Sequence, residues 1–333
     1  VGWWQTKWWA ASGQSARAAA MLADINPDDS RYEEAIRLLG AVYLQLKEEV
    51  GNEPEAQRRL LAEATTRLQP VVTGAGNRWP AKWSDLQRRT AIVLAELHGG
   101  AYAQRLLTAA IDGKSAQSDD GKPARSNDGA PTPSGDGWRD TAVTRLTLVL
   151  VDAGDADAAR RRLARTPIGN ADAARRLLQS LESRLASRNR LAAGEVMLDV
   201  IRSSPAGPEQ GRWKAPYAAA AYTALGQPDK AIQLYEPLVE QRPDDIRLQL
   251  NFAESLAASG RVDSLQRAIS VYATVEQRTP KASGSWWDAR VGRLRALAAA
   301  GEREKVTKLL KITRVLHPQL GGRSKDFARI EQS

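Results

Sequence analysis

Apolar positions recur along this chain at helical spacing, in segments punctuated by Gly, Asn and Pro. Residues 31–50 place Tyr32, Ala35, Ile36, Leu39, Val42, Tyr43 and Leu46 on one face of a long amphipathic helix. Residues 55–69 do the same with Ala56, Leu60, Ala64 and Leu68. Trp83 to Leu97 and Ala101 to Ile111 form a further pair of helices around His98-Gly99-Gly100. Long alternations of β-branched residues are absent, and Ala, Arg, Leu, Glu and Gln dominate, so helix is favoured and a sheet has little support.

A second pattern joins the helices in pairs. A turn residue is followed five positions later by a small or aliphatic residue and nine later by a large apolar one. Gly13, Ala18 and Leu22 fit, as do Gly154, Ala159 and Leu163; Gly226, Ala231 and Tyr235; and Gly301, Val306 and Leu310. Asn189, Gly194 and Leu198 fit with Asn in the turn, a residue that tolerates left-handed backbone. Gly260 reaches Ala268 and Tyr272 with three residues inserted. The spacing has a physical reason. Gly ends the first helix in a left-handed cap, the small residue lets two backbones approach, and the larger one fills the groove beside it. Pro27, Pro167, Pro205, Pro243, Pro280 and Pro318 each follow such a second helix, which Pro cannot continue. These marks predict six to eight helical hairpins.

Toward the C-terminus the pattern is written almost twice, and Gly226 to Gly260 is 34 residues. Residues 212–245 resemble a tetratricopeptide repeat, with Tyr222, Gly226, Ala231, Tyr235 and Pro243 at consensus places and Ala215 and Ala219 where the consensus has Trp and Gly. Residues 246–282 resemble a second, through Ala253, Leu256, Gly260, Ala268, Tyr272 and Pro280. Residues 284–320 look like a third, with a longer first helix: Trp286, Gly301, Val306, Leu310 and Pro318. The resemblance implies an all-α, right-handed superhelical solenoid of antiparallel hairpins, with a concave groove lined by first helices that holds peptides or partner proteins. One family subset clamps a C-terminal carboxylate with Lys and Asn. Asn251 sits suitably, but the preceding repeat offers Trp213, Pro216 and Ala220, so that clamp is not expected. The domain organisation read from these marks is irregular tetratricopeptide-like hairpins over 1–112, a flexible low-complexity insertion over 113–137, a solenoid over 138–320 and a tail over 321–333. The insertion holds no large apolar residue and cannot offset its ordering entropy by burial.

Composition narrows the chemistry. The 333 residues suffice for two ordinary domains or one long solenoid. The net charge of +9 rests on Arg more than Lys, a composition also produced by a GC-rich genome, and a bacterial source is expected. There is no Cys, which removes disulfides, thiolate metal sites and Cys nucleophiles; the bacterial cytoplasm or the cell envelope is expected, with exported proteins at ease without Cys. No run of about 18 apolar residues exists to span a membrane. A start at Val1, in mid-pattern, reads as a fragment or a processed chain. The two His, His98 and His317, lie far apart in sequence. H-E-x-x-H, G-x-S-x-G, P-loop and dinucleotide fingerprints are missing, so no catalytic residue, metal or cofactor is expected.

The expected role is a non-catalytic scaffold that presents its groove to a peptide or partner protein, within a larger polypeptide or assembly. Candidate groove residues are Arg247, Asn251 and Glu254 from one first helix and Arg290 and Arg293 from the next. Ten Trp are unusual, several of them paired (Trp3-Trp4, Trp8-Trp9, Trp286-Trp287). Neighbours on a helix point about 100° apart, so one member of a pair is expected to face a groove or another subunit. Trp286 and Trp287 therefore join the candidate partner-binding set, and a structural subunit packed through paired Trp is an alternative. A second alternative is a nucleic-acid or anionic-surface binder, since eleven cations and five acids follow Trp286.

Overall fold

The computed structural model describes residues 3–73, 79, 82–115, 137–204 and 210–332. Most of the predicted insertion, 116–136, and Pro205 lie outside the described residues. The chain is all-α and divides into two compact units, Val1–Leu177 and Leu178–Ser333.

The first unit is a series of hairpins. They pair α1 (Trp3–Ala11) with α2 (Ser15–Ala23), α3 (Tyr32–Val50) with α4 (Pro54–Thr73), α5 (Asp85–His98) with α6 (Gly100–Asp112), and α7 (Gly137–Asp152) with α8 (Ala156–Arg165). Each helix packs on the next in sequence, and the first helices α3, α5 and α7 also touch one another in turn. That is the contact pattern of stacked two-helix repeats. One departure from the helical expectation is a two-residue parallel pairing of β1 (Lys82–Trp83) with β2 (Lys114–Ser115). It leaves Trp83 fully buried. A Cβ on Gly113 would stand 2.3 Å from that ring, so only Gly admits it.

α9 (Ala171–Glu182) runs across the junction. The second unit continues with a 3-10 turn at 183–186, then α10 (Arg190–Ser203), α11 (Gln210–Ala224), α12 (Pro228–Gln241), α13 (Ile246–Ala258), α14 (Val262–Arg278), α15 (Gly284–Ala299), α16 (Arg303–Leu316) and α17 (Ser324–Gln332). Here too successive helices pack from α10 to α16, and the first helices α11, α13 and α15 contact one another directly. The stretch 321–333, read from sequence as a tail, is mostly α17, an amphipathic helix that packs on α15 and buries Phe327 and Ile330.

The punctuation holds at most hairpins. Gly13, Gly154, Gly226, Gly260 and Gly301 all have φ between 66° and 82°. At four of them the next N–H bonds back to the carbonyl five residues earlier, as in Gln227 to Tyr222 at 2.9 Å, closing a Schellman cap. Gly260 lacks that bond, in keeping with the three extra residues that follow it. Asn189 corrects the expectation of a left-handed turn, with φ at −95° as it leads from the 3-10 turn into α10. The small residues after the turns, Ala18, Ala159, Ala231 and Ala268, are fully buried, and Leu22, Leu163, Tyr235 and Tyr272 lie buried behind them.

Candidate functional site

In the second unit the first helices α11, α13 and α15 meet along one strip. α13 is started by Asp245, whose carboxylate accepts from the Leu248 N–H at 3.0 Å. Its core stripe is Leu248, Phe252, Ala253, Ser255 and Leu256. The Ser255 hydroxyl shares a 2.7 Å hydrogen bond with Thr223 of α11, stitching two first helices together. On the opposite side run Arg247, Asn251 and Glu254, spaced i, i+4 and i+7.

Counted back from the turn glycines, these three stand 13, 9 and 6 residues before Gly260. The same offsets before Gly301 select Asp288, Gly292 and Arg295 on α15, and before Gly226 they select Trp213, Tyr217 and Ala220 on α11. Charge and hydroxyl groups converge on this strip. The Arg247 guanidinium donates to Glu182 at 3.1 Å. Tyr235, from the second helix α12, packs against Phe252 and has Asn251, Glu182, Glu254 and Arg247 around its hydroxyl. Tyr272, from α14, crosses over Gly292 toward Glu254, Arg295 and Asp288. Burial raises both phenols well above the ordinary tyrosine range.

Glu254 is the notable group. Its side chain is open to solvent, yet neighbouring groups crowd the carboxylate. That desolvation pushes its carboxyl up, against the pull of Arg295 and with Asp288 adding to the rise. Arg295 itself donates to Asp326 of α17 at 2.6 Å, and Arg323 bonds Asp288, so α17 closes one end of the strip.

The structure does not bring Arg290 and Arg293 to this strip. Their side chains are only 12% and 31% exposed and turn toward α14, where both reach Glu276, at 3.0 and 3.3 Å. Arg290 also stacks on Trp286 and bonds the Thr313 hydroxyl. Burial raises the Glu276 carboxyl and lowers the Arg290 guanidinium, each opposed by the ion pair. These arginines sit two residues round the helix from Asp288 and Arg295, which sequence reasoning passed over; the turn-glycine offsets were the signal that finds them. Trp286 and Trp287 correct a further expectation. Both are 5% exposed and enter one core, with His317 5.0 and 5.4 Å from their rings and Phe327 edge-on to Trp287 at 6.0 Å. The two rings meet edge to face, 4.7 Å apart, and Phe327 of α17 packs against Trp287. The exposed Trp are instead Trp4, Trp8 and Trp79.

His98 lies in the first unit against Thr65 and Tyr102, and burial lowers its pKa. Among the described residues no three His, Cys, Asp or Glu gather as a metal site, and no helix is long and apolar enough to cross a membrane.

No curated protein matches the chain. Residues 207–272, from before α11 into α14, match the tetratricopeptide repeat family. That match covers about a fifth of the chain; with the hairpin punctuation and the neighbour-to-neighbour packing, the fold is an all-α array of tetratricopeptide-like hairpins.

Proposed function

We propose that the second unit is a non-catalytic scaffold that holds a peptide or partner protein along the strip of α11, α13 and α15. The observation that carries this reading is the clustering of Asn251, Glu254, Asp288 and Arg295 around two tyrosine hydroxyls on a surface both open and crowded. Polar groups held in place by buried neighbours can recognise a ligand's backbone and charge without first being ordered. Trp213, T-shaped on Tyr217 at 6.2 Å, gives the strip an aromatic anchor beside that polar stretch.

The test is affinity capture from the source cell, comparing the native chain with the triple variant Asn251→Ala, Glu254→Ala, Arg295→Ala, and with Arg278→Ala as an exposed control. Proteins retained at high salt by the native chain and the control, and lost by the triple variant, support the reading. Retention by all three sinks it.

A subunit role in a larger assembly has its own observation: Trp4 and Trp8, one turn apart on α1, are both exposed. A sedimentation coefficient that rises with concentration, and no longer does so in Trp4→Ser, Trp8→Ser, would favour it.

A further inference from the structure

The first unit holds a polar cavity of about 200 Å³ between α6, α7 and α8. Each helix lines it with residues four apart, so all three run lengthwise along it. α6 contributes Gln104 and Thr108, both half-buried; α7 contributes Leu146 and Leu150, both buried; α8 contributes Arg161 and Arg165, both exposed. Arg162 also lines the cavity, but its guanidinium is engaged by Asp112 through two hydrogen bonds. Arg165 pulls on that carboxylate only through space. Neither Arg161 nor Arg165 makes a hydrogen bond or an ion pair among the described residues, and the side chains of Gln104 and Thr108 make none either. Elsewhere in this unit Arg37, Arg59, Arg89 and Arg145 each reach a carboxylate. With Asp112 answering Arg162, the charges of Arg161 and Arg165 are left over, beside two further groups whose donors are unused.

We propose that this cavity binds a phosphate monoester group. The two free guanidiniums match the charge of a monoester dianion, and each offers a planar fork of N–H donors to its oxygens. The Gln104 amide and the Thr108 hydroxyl can donate to the oxygens that remain. Buried leucines beneath these groups lower the local polarity, which strengthens each charged hydrogen bond. Size limits what enters. Pockets that enclose a whole drug-sized ligand begin at about 300 Å³, so here the phosphate goes in while most of its carrier stays outside. A nucleic-acid backbone fits less well, because a phosphodiester carries a single charge and no aromatic side chain lines the cavity for a base to stack on. The carrier is a small phosphorylated molecule or a phosphorylated side chain, which share the same group. The cavity lies in the first unit, apart from the residues of the strip on α11, α13 and α15.

Titration calorimetry of the full chain at fixed ionic strength tests this with two probes, glycerol phosphate and N-acetyl-phosphoserine amide. Controls are unphosphorylated N-acetyl-serine amide and a single-stranded oligouridylate. At least one monoester is expected to bind about tenfold or more tightly than the serine amide. A preference for phosphoserine points to a protein carrier, and a preference for glycerol phosphate to a small molecule. The pair Arg161→Ala, Arg165→Ala is expected to weaken binding about tenfold or more, since it removes both charged donors. Arg161→Lys, Arg165→Lys keeps the charge without the fork and is expected to fall between. Arg58→Ala, Arg175→Ala removes two exposed arginines that do not line the cavity and is expected to change binding less than about twofold. Binding is also expected to weaken as pH falls through about 6, where the monoester takes up a proton and loses its second charge. Both cavity arginines are exposed, so the alanine pair is expected to keep its helical circular dichroism; should it not, the lysine pair carries the comparison. Four outcomes overturn the proposal: monoesters no tighter than the serine amide, equal binding by the native chain and the cavity variant, an equal loss in the Arg58→Ala, Arg175→Ala control, or oligouridylate binding tighter than either monoester.

Discussion

At position 292 the fold demands the absence of a side chain. A Cβ there would stand 2.4 Å from Cζ of Tyr272 and 2.5 Å from its Cε1, both in a buried ring with nowhere to move. Ala is the better helix former by about 1 kcal/mol, but overpacking a tight contact costs about 1–3 kcal/mol. Gly292→Ala is therefore expected to destabilise, and the loss should shrink in a Tyr272→Leu background, where the ring is gone; urea unfolding of the four proteins in this cycle measures the coupling. A second residue-scale expectation concerns Asp112, at the end of α6. The Arg162 guanidinium, 8% exposed, donates to both its oxygens at 2.6 and 2.9 Å and holds its carboxyl below the ordinary aspartate range. A depressed folded-state pKa adds stability that is present above the unfolded value, about 4, and is lost as pH falls through the folded one. Asp112→Asn is thus expected to cost about 1–3 kcal/mol at pH 7, because a buried guanidinium loses its charged partner. The difference in urea midpoint from the native chain should narrow as pH drops below about 4. A gap that stays constant with pH would place the effect in packing.

Among the elements, α17 shows how far a single change should reach. Phe327 is fully buried between α17 and α15 and stacks edge-on to Trp287. Phe327→Ala is expected to cost about 3–5 kcal/mol and to raise amide exchange first in α15 to α17. Uniform exchange across α11 to α17 would mean that the end of the unit is no weaker than its middle. The same elements show what the sequence made legible. Hairpins could be read because each is marked locally, by a glycine cap, a small residue at the crossing and a later proline. α17 could not, since its amphipathic pattern spans only nine residues with two large apolar side chains and no proline follows it. The polar row on α13 followed from its clean amphipathic stripe. On α15 both tryptophans enter the core, which turns the helix relative to a wheel drawn with one of them outside. Arg290 and Arg293 then fall on the buried side, and Asp288 and Arg295 on the open one. Partner burial of Trp287 comes from α17, an element remote in sequence, so no local pattern could announce it.

Within each unit, contacts run mainly from a helix to its neighbours in sequence, with first helices touching the next first helix. The stability of such an array is close to a sum of repeat and interface terms, so damage should spread by adjacency and fade with distance. Gly226 isolates that property. Its φ is +70°, and an added Cβ would meet nothing within 4 Å, so a substitution there tests backbone strain without a clash. Holding an L-residue in the left-handed region costs about 1–2 kcal/mol, and a β-branched one fits it worst. Gly226→Val is expected to raise amide exchange strongly in α11 and α12, less in α13, and barely in α15 and α16. Gly226→Asn should recover most of the loss, because Asn tolerates that conformation. An equal rise in every helix from α11 to α16 would mean that the unit melts as one block, and a partner gripping the strip would then meet a surface that forms or dissolves whole. A graded rise means instead that α13 and α15 can hold their polar groups in place while the repeat before them opens.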